Sequence, residues 1–291
     1  MKIALPRACR TADHAGRNEA PSTATASGRR VRTGSRLALL AMLGLLAACQ
    51  PAMQLMPPPL AFTQGHQPLF TNDVATRNAP EIPVFYATNR GVVLETQPPV
   101  YTIFPGTDLR LGTAHMRVGD GTLTWEQLNT LSTTEPEGRR PTIRLERLDE
   151  ATVLGAGRDT ANSPAAQAYF DEINRALAQS RNKDLIIYVH GANKAIHRAI
   201  GQAAQFQHFT GRDAVVLTFV WPSGERVRRY FSDIRTARAS IPAFTQLIEL
   251  LAANTDARQI DILAYSAGAE IASAGLAQLG LRDTGESRDA L

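Results

Sequence analysis

Cysteine is almost missing from this 291-residue chain: Cys9 and Cys49 are the only two, and both precede the body of the sequence. Neither a disulfide framework nor a cysteine-based metal site can be built from them. Lysine is nearly as scarce, at Lys2, Lys183 and Lys194, while arginine is abundant, a bias we read as genome composition. Hydrophobic residues at 44%, charged residues at 20% and aromatics at 6% describe ordinary globular composition. Wholly disordered, collagen-like and multi-span membrane chains are excluded by that balance. The length allows one large domain or two ordinary ones with a sizeable core.

The formal charge of +4 suggests an acidic partner, but its placement argues otherwise. Residues 1–48 carry eight Lys/Arg against Asp13 and Glu19, a net of +6, leaving residues 49–291 with 23 Lys/Arg against 25 acids, a net of −2. The basicity belongs to the leader, so nucleic acid is not expected as a partner.

Arg29, Arg30, Arg32 and Arg36 precede an apolar stretch, Leu37 to Leu46, and then Ala47, Ala48 and Cys49. A basic region, a short apolar run and small residues before a cut describe a secretory signal peptide over residues 1–48. The run is too short for a membrane-crossing helix, which needs about 20 residues. Leu46-Ala47-Ala48-Cys49 also resembles the bacterial lipobox, which would make Cys49 a lipidated first residue and anchor an exported protein to the cell envelope. By that resemblance Gln50 favours the outer membrane. A plain signal peptide with a chance cysteine is the alternative.

Residues 49–80, with Pro57-Pro58-Pro59 and little periodicity, read as a flexible tether, and 81–291 as the folded domain. Strands are expected at Ile82–Ala87, Leu109–Val118 and Thr142–Leu148, and a helix over 163–180 opened by Ser163-Pro164. The pattern then becomes regular. Buried strands are expected at Leu185–Val189, Ala214–Trp221 and Ile260–Tyr265, alternating with helices at Ala195–Phe209, Ile241–Ala253 and Ala267–Leu279, the last ending at Gly280. Alternating strands and helices predict an α/β fold with a mostly parallel sheet covered on both faces.

Chemistry concentrates at two strand ends. In Ala264-Tyr265-Ser266-Ala267-Gly268 a buried strand ends, one serine occupies a tight turn, and a helix begins at once. That arrangement lifts the serine oxygen from the sheet and aims the helix's positive end at it. The small residues Ala264 and Gly268 flank the turn where space is short. Ser266 is therefore a candidate nucleophile, the alternative being a serine that only caps the helix. In Val189-His190-Gly191-Ala192-Asn193, a loop amide can supply a second oxyanion donor. The backbone N–H groups of Ala192 and Ala267 are the expected pair. His190 reads as a histidine that shapes the loop, less readily as a base. His197 and His208 fall on the next helix as surface or packing residues.

These junctions, with Pro83-Val84-Phe85-Tyr86-Ala87-Thr88-Asn89-Arg90 and Phe219-Val220-Trp221-Pro222-Ser223-Gly224, resemble an uncharacterised bacterial family of α/β-hydrolases of the esterase/lipase superfamily over roughly residues 82–280. Tyr230, Asp233 and Ser240 also fall where that family tends to have these residues. The resemblance implies a partial α/β-hydrolase fold and hydrolysis of an ester or related acyl bond, of a small-molecule or lipid-like substrate, through an acyl-serine intermediate on Ser266. His190, Gly191, Asn193, Trp221 and Gly268 would support the motif, and no metal or organic cofactor is implied. The chain departs from the family at Ala192, where an aromatic residue is usual, and at Tyr265 and Ala267, where His and Met are.

In an α/β-hydrolase the acid and then the histidine follow the serine. No histidine follows Ser266, and Glu270, Asp283, Glu286 and Asp289 are expected in a helix or a polar tail. The expectation is therefore a chain incomplete at its C-terminal end, with the acid- and base-bearing strands lacking. The alternative is a non-catalytic envelope lipoprotein that uses the same crevice to bind a ligand or partner.

Overall fold

Side chains that alternate between two apolar layers build the centre of the sheet. In the strand Asp184–Val189, Leu185, Ile187 and Val189 enter one buried cluster, while Tyr188 enters a second on the opposite face. The strand Val215–Phe219 divides in the same way, with Leu217 and Phe219 on the first side and Val216 on the second. A strand buried on both faces must be mainly apolar, which is why these runs, apart from the buried Thr218, show no polar alternation in sequence.

The computed structural model describes residues 53–66, 77–79, 81–134, 140–155 and 162–289. The expected leader, Cys49 and part of the expected tether lie outside them. The described strands are β1 (Met53–Gln54), β2 (Glu81–Leu94), β3 (Val100–Val118), β4 (Thr142–Leu154), β5 (Asp184–Val189), β6 (Val215–Phe219) and β7 (Gln259–Ala264). They form one sheet in the order β1-β4-β3-β2-β6-β5-β7. Strands β2, β6, β5 and β7 run parallel, and β3, β4 and β1 continue the sheet antiparallel. The described helices are α1 (Leu60–Thr63), α2 (Trp125–Thr133), α3 (Pro164–Gln179), α4 (Ile196–Phe209), α5 (Tyr230–Ala239), α6 (Ile241–Asn254) and α7 (Ala267–Asp289).

Helices α3, α6 and α7 cover the first face through Tyr169, Phe170, Ile173, Phe244, Leu247 and Ile271. Helix α4 covers the second through Ala199, Ile200, Ala203 and Ala204. The α/β architecture expected from the sequence is the one observed, but β7, expected as a buried strand, is the last strand of the described sheet: Ile260, Ile262 and Ala264 are only partly buried against the first layer and Leu263 is exposed.

Several boundaries differ. Strands β2, β3 and β4 each run past the expected apolar segment, because β2 and β3 continue as a hairpin whose register shifts near Arg90 and Val92. Part of the expected tether is docked: Met53–Gln54 pair with Ile143 and Thr142, and Leu55 is buried. The helix after Ser266 does not stop at Gly280 but continues to Asp289, so Asp283, Glu286 and Asp289 fall on it and not in an irregular tail. A Cβ added to Gly280 would meet nothing within 4 Å, and its φ is not positive. A glycine inside an exposed helix costs only about 1 kcal/mol, too little to end it unaided. Among the described residues no helix is long and apolar enough to cross a membrane.

Candidate active site

Strands β5 and β7 are in register from Asp184↔Gln259 to Val189↔Ala264, so the loops that follow them emerge side by side. The N–H of Tyr265 donates to the carbonyl of Val189 at 3.0 Å, extending the ladder by one bond. The chain then reverses through Ser266, whose φ of +54° lies in the left-handed region. Residues other than glycine rarely adopt it, and the strain is characteristic of functional turns. Hydrogen bonds from Gly268 N–H to the Tyr265 carbonyl and from Ala269 N–H to the Ser266 carbonyl, both 2.9 Å, start α7 at once.

This geometry argues against Ser266 as a helix cap. A capping serine has extended backbone and accepts an N–H two or three residues on. Ser266 has neither the φ nor, among the described residues, a hydrogen bond at Oγ. Its side chain is exposed, as is Tyr265 at 63%.

The two loops touch through glycines. A Cβ on Gly268 would strike the carbonyl oxygens of Val189 and His190, the second at 2.6 Å. One on Gly191 would lie 2.9 Å from Tyr265 Cδ1 and 3.1 Å from Ser266 Cβ. Gly191 therefore faces the serine directly. Among the described residues the N–H groups of Ala192 and Ala267 make no hydrogen bond. The expected donors are thus unoccupied, and Ala267 opens a helix whose positive end sits behind the serine.

His190 does not serve as a base at this site. It is buried, and its ring stacks on Trp221 with centroids 5.0 Å apart and planes 5° from parallel. Its Nδ1–H donates to the Gly191 carbonyl at 2.7 Å, and Trp221 Nε1–H donates to the His190 carbonyl at 2.7 Å. Burial, helped by the nearby Arg90 charge, pushes its pKa down to about 3, which keeps it neutral. His208 is likewise buried, bonded to Ser132 Oγ at 2.9 Å, and His197 is half-buried. Glu270 is engaged by Arg238 Nε at 2.6 Å on the surface.

The loop carrying Ala192 is held by charges whose roles the sequence did not reveal. Asn193, with φ +61°, donates its backbone N–H to Asp233 Oδ2 at 3.0 Å. The same carboxylate accepts the N–H of Gly224 at 3.1 Å. Arg90 is buried and donates to the carbonyls of Thr102 at 3.2 Å, Lys194 at 3.1 Å and Ser223 at 3.3 Å. Burial lowers its pKa to about 10, while the charges of Asp233 and Glu225 oppose the shift. Ser223 Oγ accepts the Lys194 N–H at 3.0 Å and donates to the Lys194 carbonyl at 2.9 Å. Thr88 Oγ1 donates to the Val220 carbonyl, and Asn89 Nδ2 donates to Ser240 Oγ. The segments around Thr88–Arg90, Asn193 and Val220–Gly224 that carried the family resemblance meet in this network, which fixes the loops after β5 and β6 on the end of β2, while the Ser266 elbow lies outside it. Tyr230 stands outside it, about half exposed.

A cavity of about 790 Å³ lies elsewhere, at the other end of β2 and β6, lined by Ile82, Phe85, Arg175, Arg212 and Val215. It shares no lining residue with the elbow, so volume and chemistry do not coincide.

The family described as "Alpha/beta hydrolase of unknown function (DUF900)" matches residues 165–290. The fold is that of an α/β-hydrolase. The match spans the loop after β5, the Trp221–Gly224 segment, Asp233 and the Ser266 elbow of this hydrolase fold, and leaves Thr88-Asn89-Arg90 outside it. No curated protein and no solved structure matches the chain.

Proposed function

We propose that the chain belongs to a serine hydrolase of esterase type, with Ser266 as nucleophile. The observation that carries this reading is the left-handed, exposed serine between the last strand of the described sheet and a helix, facing a glycine loop with two unused amides. Ser266 Oγ would attack the carbonyl carbon of an ester or related acyl group while its proton passes to a base. The developing oxyanion would be held by the N–H groups of Ala192 and Ala267. Collapse would expel the alcohol and leave an acyl-serine, which water then hydrolyses. No cofactor enters this sequence of steps.

Among the described residues no imidazole or carboxylate is hydrogen-bonded to Ser266 Oγ. That observation favours a second reading, in which the crevice binds a ligand or partner without turnover. Serine-reactive fluorophosphonate labelling separates the two. The hydrolase reading expects covalent labelling of the full chain that disappears in Ser266→Ala. Labelling that is absent, or equal in the variant, would overturn it. We further propose that Cys49 is lipidated and holds the exported protein to the cell envelope; Cys49→Ala should then release it to the soluble fraction.

A further inference from the structure

Three large aromatic side chains stand exposed beside the loops just described. Phe231 is 82% exposed, Phe104 57% and Tyr230 49%. They lie on two neighbouring elements: Tyr230 and Phe231 open α5, with ring centroids 5.8 Å apart, and Phe104 belongs to the β2–β3 hairpin. Arg229 joins the two, its guanidinium lying 5.4 Å from the centre of the Phe104 ring. The hairpin tip adds Val93 and Leu94, both more than half exposed. Apolar surface concentrated in this way is costly in water and marks a place of contact.

Its charge restricts the partner. Between 225 and 231, Arg226, Arg228 and Arg229 oppose the single acid Glu225. Arg226 and Arg228 are exposed and form no ion pair among the described residues. Aromatic rings that can sit among headgroups, flanked by arginines that can pair with phosphates, match the surface of an anionic bilayer. We infer that this face docks on anionic phospholipid, Phe104, Tyr230 and Phe231 entering the headgroup layer while Arg226 and Arg228 meet the phosphates. Asp233, two residues beyond Phe231, holds the loop of the crevice from the buried side of the same helix. This contact is separate from lipidation of Cys49 and does not require Ser266 to be a nucleophile.

An environment-sensitive fluorophore on Arg235→Cys, one turn from Phe231 on the same side of α5, reports the contact in the full chain with Cys9 and Cys49 replaced by serine. Phosphatidylcholine vesicles containing phosphatidylglycerol should shift its emission to the blue and protect it from an aqueous quencher, whereas phosphatidylcholine alone should not. Arg226→Gln with Arg228→Gln should weaken the response roughly tenfold or more, and Phe231→Asp should abolish it. The same dye on Asp256→Cys, at the opposite end of the sheet, should not respond. Equal responses at the two positions would mean that the leader alone binds vesicles, and would overturn the inference. So would a response that survives Phe231→Asp, or one produced instead by a single-stranded oligonucleotide. Phe231 is too exposed for its replacement to threaten folding.

Discussion

The carboxylate of Asp233, 1% exposed, receives the backbone N–H of Asn193 at 3.0 Å and so fixes the residue that follows Ala192, the proposed oxyanion donor. One carboxylate thus accepts two loop amides, and with Glu225 its charge favours the buried Arg90 cation from beyond ion-pair distance. Asp233→Ala would leave those two N–H groups without their acceptor, at a cost of about 1–3 kcal/mol each. Asp233→Asn keeps an acceptor but loses the charge, and should fall between the two. Urea denaturation measures both. A loss under about 1 kcal/mol in the alanine variant would mean that the loop is held by other means.

The backbone strain at Ser266 gives a prediction independent of activity. Both Ser266→Gly and Ser266→Ala remove the hydroxyl, but only glycine relaxes a φ of +54°. The glycine variant should be more stable than the alanine variant by about 1 kcal/mol, read as the difference in denaturation midpoints. Equal midpoints would remove the argument for a strained elbow.

Gly191 and Gly268 should respond differently to alanine. At Gly268 the added methyl meets backbone carbonyls of β5 and the loop after it, which cannot move without disturbing the sheet. Gly268→Ala should cost about 1–3 kcal/mol. At Gly191 the clash is with Tyr265 and Ser266, and the exposed Tyr265 can swing aside. Gly191→Ala should keep most stability yet suppress fluorophosphonate labelling, since the methyl lands against the serine. Labelling at the normal rate would contradict the proposed position of the oxyanion loop.

Acid should weaken the fold through two histidines. Burial pushes the pKa values of His190 and His208 from 6.5 to about 3. Between those values the unfolded chain binds protons that the folded chain refuses, so stability falls as pH drops through the window and is complete above it. Each imidazole contributes a slope of about 1.4 kcal/mol per pH unit. His208→Gln should roughly halve the histidine share of the slope when urea midpoints are compared between neutral pH and about pH 5. An unchanged slope would show that His208 titrates normally.

Trp221→Phe retains a ring against His190 but removes the Nε1–H donor to its carbonyl. A buried carbonyl left without that partner should cost about 1–3 kcal/mol, measured by thermal or urea unfolding. A neutral effect would indicate that the stack, and not the hydrogen bond, holds the loop.

The residues around β5 and β6 specify their own structure, because a strand buried on both faces needs continuous apolar side chains, and the turn after β7 needs small ones. The α/β class, the elbow at Ser266 and the glycine loop at His190-Gly191-Ala192 were legible from those local demands. Helix α2 was not, since its apolar residues are few and it is defined by the Thr124–Gln127 cap. Helix α7 runs through Gly280 because a glycine signals a stop only where the chain turns, and whether it turns is not written locally. Asp233 and Arg90 illustrate the deeper limit. In sequence a charged residue reads as solvated, and burial of charge becomes favourable only where distant backbone groups and an opposite charge converge on it. That convergence brings residue 90 to residues 194 and 223, and residue 233 to residue 193, and the tertiary structure alone decides it.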